Sequence, residues 1–128
     1  MAEVSWRHDT ELAPVAASVA TARDFVRLHL REHDLGHLVD DMRLTVSELA
    51  TNAVEHAGTP FTVLLQGDGV LVLLTLDDSS PGVPVELPPG AASTGGRGLA
   101  IVGRLSHDWG VVRTHGTHKS VWASFRTS

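Results

Sequence analysis

The chain has 128 residues, 42% of them hydrophobic and 20% charged, which suits one compact domain, residues 1–128, with a sizeable core. A net charge of −5, from 10 Lys+Arg against 15 Asp+Glu, argues against a surface built to track a nucleic-acid backbone. With no cysteine there is no disulfide and no thiolate metal site. No signal-like leader or membrane-length apolar run is evident, so a cytoplasmic protein without a membrane partner is expected.

Val4, Trp6 and His8 alternate and predict an edge strand. Pro14 suits the first turn of a helix over Val15 to Glu32, where Val15, Val19, Ala22, Val26 and Leu30 recur at helical spacing. Asp34 to Gly36 reads as a break. A second helix is predicted from about His37 to His56, with Leu38, Met42, Val46, Leu49, Ala53 and His56 along one stripe. Gly58-Thr59-Pro60 stops it.

Phe61 to Leu65 and Val70 to Leu76 read as strands, with hairpin chemistry at Gly67-Asp68-Gly69. Asp77 to Gly82 is rich in turn formers, and Val83 to Gly96 reads as a loop or lid. Gly98 to Leu105 is predicted as a short helix. Trp109 to Arg113 and Ser120 to Phe125 are predicted as closing strands around a turn at His115 to Thr117. The order implies a two-layer α/β (α+β) sandwich, its mixed, mostly antiparallel sheet covered by helices on one face.

Three segments can carry chemistry. On the second helix, Glu48, Asn52 and His56 are spaced i, i+4, i+8, near one helical face. An amide oxygen such as that of Asn52 is a hard ligand suited to Mg²⁺, and Glu48 can accept a proton from a hydroxyl. For such a triplet alone, a solvated polar face is the more frequent reading. Next, Asp78-Ser79-Ser80-Pro81-Gly82-Val83 follows an apolar strand. A carboxylate there can accept from an exocyclic amine, and Gly82 admits a flat ligand close to the backbone; a plain turn explains the same residues. Lastly, Gly95-Gly96-Arg97-Gly98-Leu99 opens a helix, where free N–H groups suit phosphates, without the P-loop or Rossmann spacing. A glycine hinge is the alternative.

Taken in order, these segments resemble the N, G1 and G2 boxes of the GHKL ATPase superfamily, and within it the anti-sigma-factor serine kinases. Leu44 to Ala57 is similar to the N box almost throughout, Gly95 to Val102 to the G2 box, and Lys119-Ser120-Val121-Trp122-Ala123 to the final strand. The resemblance covers Pro14 to Phe125. It implies a Bergerat ATP-binding fold with ATP and Mg²⁺ as cofactors. Asn52 would coordinate Mg²⁺, Glu48 would be the general base, and Asp78, rather than Asp77, would receive the adenine amine.

Gly82, Gly96 and Gly98 would shape pocket and lid, and Thr117 would lie near the adenine. His56, Ala57, Val83, Arg97 and Leu99, beside them in the boxes, would also belong to the nucleotide-binding set. Ser80 and Pro81 depart from the glycine pattern, and the segment from Gly82 to Gly96 is short. The implied partners are a sigma factor and a STAS-domain anti-anti-sigma protein, with a homodimer as the implied assembly. A pure interaction module with a vestigial pocket is the alternative.

His29 and His33 form a His-x-x-x-His pair, but no third ligand is evident, so a solvated pair is expected. Trp109 and Trp122 read as core aromatics. Arg23, Arg27 and Arg31 make a candidate partner face or a solvated stripe.

Overall fold

The computed structural model describes residues 5–78, 94–114 and 118–128, with the backbone alone at 57, 94–98, 113 and 114. Five strands and three helices are described: β1 (Trp6–Leu12), α1 (Ala17–Glu32), α2 (Val39–Asn52), β2 (Phe61–Gly67), β3 (Leu71–Asp78), α3 (Thr94–Leu105), β4 (Asp108–Thr114) and β5 (His118–Arg126). The sheet order is β1-β2-β3-β5-β4. Every pairing is antiparallel, so the parallel component expected from the sequence is absent among the described strands.

Strict alternation drives the layering. Phe61, Val63 and Leu65 on β2, and Val72, Leu74 and Leu76 on β3, point to one side and are buried, while their neighbours are half-exposed. The helices cover that side. α1 touches β1 and β2, α2 touches β3, and α3 touches β4. α2 is the central helix, packed between α1 and α3, and buries Met42, Val46, Leu49 and Ala50.

α1 starts at Ala17, so Val15 lies before it and is 50% exposed. The helix ends in a Schellman motif: the Leu35 N–H donates to Leu30 O at 2.8 Å and the Asp34 N–H to Arg31 O at 3.2 Å. Asp34 fills the left-handed position with φ 59°. Glycine usually fills that place, so the sequence read only as a break.

The second predicted helix resolves into three pieces. A 3₁₀ turn spans Gly36–Leu38, α2 follows, and a π-turn covers Ala53–Ala57 before Gly58 stops the chain at φ 64°. The wider π-turn rotates His56 off the line that regular α-helix spacing predicts through Glu48 and Asn52, and His56 is exposed.

Three further differences have a physical cause. Asp77 and Asp78 belong to β3, not to a loop, because they pair with Thr62 and Phe61 on one side and with Ser120 and Lys119 on the other. α3 begins at Thr94, so Gly95 to Gly98 lie inside its first turns rather than ahead of them. Neither tryptophan is fully buried. Trp109 is 36% exposed and leans on Gly103 of α3, where a Cβ would stand 2.9 Å from its Nε1. Trp122 lies on the opposite sheet face from Val121 and Ala123, over Gly110.

Candidate functional site

The pocket forms where the middle of the sheet meets α2 and α3. Leu49, Asn52 and Ala53 line it from α2, Leu76 and Asp78 from β3, Leu99 from α3, Val111 from β4, and Lys119 and Val121 from β5. Its described walls enclose about 100 Å³. That is less than the ~300–1,000 Å³ of a complete small-molecule site.

Strand register explains the lining. Asp78 pairs with Lys119 and Leu76 with Val121, so all four side chains share the helix-facing side of the sheet. Asp77 projects to the other face, where its carboxylate accepts a hydrogen bond from the Ser120 hydroxyl. Asp78 is 4% exposed, and its Oδ2 lies 3.8 Å from Lys119 Nζ. A buried carboxylate among leucine and valine side chains is costly without partners, and the ammonium offsets part of that cost.

The residues singled out in the sequence divide by position. Asn52, Asp78 and Leu99 come together in this pocket. Glu48 lies one turn before Asn52 on α2, half-buried and outside the lining. His56 and Ala57 belong to the π-turn beyond it. Gly96, Arg97 and Gly98 lie in the first turns of α3. Gly82, Val83 and Thr117 lie outside the described residues.

Sequence reasoning did not single out Lys119 or the apolar walls Leu49, Leu76, Val111 and Val121 as site residues. One signal was available: Lys119, the only lysine, opens an alternating strand in phase with Val121.

This donor set fits an adenine-type ligand. Apolar walls suit a base, one buried carboxylate suits its amine, and an amide stands at the helix-side wall. Residues 12–125 match the family described as the histidine kinase-like ATPase domain. The chain belongs to that family. No curated protein matches the chain. Membership in this ATPase family implies ATP as the ligand, and the matched range contains every pocket residue. No described helix is long and apolar enough to cross a membrane.

Proposed function

We propose that this ATPase domain binds ATP with Mg²⁺ in the pocket between α2, α3 and the sheet. It would phosphorylate a serine or threonine of a STAS-domain anti-anti-sigma partner and, in the other partner state, sequester a sigma factor. The observation that carries ATP binding is the buried Asp78 carboxylate on an apolar floor, with Asn52 on the neighbouring wall. The kinase and partner assignments are supported by the ordered likeness of Leu44 to Ala57 and Gly95 to Val102 to anti-sigma-factor serine kinases.

Asp78 holds the base by accepting from its amine, and the leucine and valine walls exclude water from its faces. Asn52 is the residue that would hold Mg²⁺, which when bound neutralises charge on the phosphates. Glu48 takes the proton of the partner's hydroxyl as that oxygen bonds to the γ-phosphorus and ADP leaves. Positioning and electrostatics dominate phosphoryl transfer, so few residues suffice. The phosphorylation state of the partner then decides which protein is held.

A second reading is a non-catalytic module that binds its partner through a vestigial pocket. The 3.8 Å Asp78–Lys119 pair and the small described cavity favour it. Glu48→Ala separates the two. Under the first reading it abolishes transfer from labelled ATP to the STAS partner while sigma-factor binding persists. Under the second, neither wild type nor variant labels the partner. The implied homodimer is checked by light scattering on the same preparations.

A further inference from the structure

The His29–His33 pair of α1 does not stand alone. β1 brings His8 to the last turn of α1, on the helix-facing side of the sheet. One ligand atom each from His8, His29 and Glu32 lies within 4.8 Å of the other two. The separations are specific: His29 Nδ1 to Glu32 Oε2 is 3.2 Å, and His8 Nε2 to Glu32 Oε2 is 4.0 Å. His33 adjoins the group, its Nε2 2.9 Å from His8 Nε2.

We propose that His8, His29 and Glu32 form a binding site for a divalent transition-metal ion of the zinc type, a site separate from the nucleotide pocket. Two imidazoles and a carboxylate are a recognised three-ligand set for zinc, with a fourth position left to water. At metal–ligand distances of about 2.0–2.1 Å, ligand atoms of a tetrahedral site stand about 3.3 Å apart. The separations here bracket that value. His33 is close enough to take the fourth position or to hydrogen-bond the water that does.

The surroundings favour convergence. Glu32 follows His29 by three residues, so both side chains leave the same helix face. Trp6 stacks on His33 with ring centroids 3.9 Å apart, and His8 stacks on His29 at 3.8 Å. Those parallel rings must turn so that their lone pairs meet at one point. Rotation about the last side-chain torsion of histidine is soft, so the change is local. The ion would fasten the edge strand β1 to the C-terminal turn of α1, and only the folded chain presents all three ligands together.

The test uses full-length, tag-free protein, because a histidine tag would itself bind metal. Zn²⁺ binding is measured by equilibrium dialysis with elemental analysis, on wild type, His8→Gln and Glu32→Gln. Glu32 is an exposed residue near a helix end, so its variant keeps the fold; circular dichroism checks both variants. The expected result is one Zn²⁺ per wild-type chain and a higher melting temperature with Zn²⁺. Each variant then weakens binding by at least about tenfold. Absence of binding by wild type, or loss in fewer than both folded variants, overturns the proposal.

Discussion

Lys119 Nζ stands 3.8 Å from Asp78 Oδ2, and the two residues are direct partners across the β3–β5 pairing. A carboxylate offers about four acceptor positions, more than one ammonium uses. Asp78→Asn keeps the shape and removes the charge, and turns part of the group into a donor. ATP affinity is expected to fall about ten- to a hundredfold, since a hydrogen bond to a charged group is worth about 1.5–3 kcal/mol. Calorimetry measures the affinity, and a near-unchanged far-ultraviolet spectrum shows that the fold persists.

Trp6 lies over Gly67, its partner across β1–β2, so closely that a Cβ at Gly67 would stand 2.6 Å from a ring carbon. Gly67→Ala must displace the indole, which also stacks on His33. The expected cost is about 1–3 kcal/mol, the usual range for overpacking. Urea unfolding followed by tryptophan fluorescence reads both the stability loss and the displaced ring.

Asp34 holds a left-handed conformation at the end of α1, with φ 59°. Asp34→Gly relieves the side-chain clash but gives the unfolded chain more freedom. The relief is the larger effect, so stability is expected to rise by about 0.5–1 kcal/mol. A lower urea midpoint in the variant would contradict the Schellman assignment.

Asp68 caps the β2–β3 turn, its Oδ1 accepting from the Leu71 and Val70 N–H groups at 2.9 Å each. These bonds, that from Leu71 foremost, hold its carboxyl below the ordinary 3.8. The folded state therefore favours the ionised form. Its contribution to stability is fully present above the ordinary value and is lost as the pH falls through the lowered one. Wild type is expected to be more stable than Asp68→Ala at neutral pH, and the gap should close on acidification, as measured by melts across the acid range.

The sequence made most elements legible because their patterns are local. Alternation in β2 and β3 and four-residue spacing in α1 mark buried faces, and the Gly58 stop is a local signal too. Asn52, Asp78 and Leu99 could be singled out because each belongs to a short ordered motif. What stayed hidden depends on contacts between distant segments. The Asp78–Lys119 pair needs the β3–β5 register, and the meeting of His8 with His29 and Glu32 needs β1 to lie beside α1. The π-turn after Asn52 leaves the helical spacing of the letters unchanged, so the sequence carried His56 along a face it does not occupy. Asp34 hid a helix cap because the residue usual at that place is glycine.

The central claim is a nucleotide pocket that uses Asn52 to hold Mg²⁺. Its most direct test is isothermal calorimetry of ATP binding, with and without Mg²⁺, on wild type and on Asn52→Ala. The expected result is wild-type binding at micromolar Kd or tighter, about −8 kcal/mol, strengthened by Mg²⁺, with the Mg²⁺ dependence lost in Asn52→Ala. Absence of binding heat and of any thermal shift with ATP in the wild type, or a variant that keeps the full Mg²⁺ dependence, would contradict it.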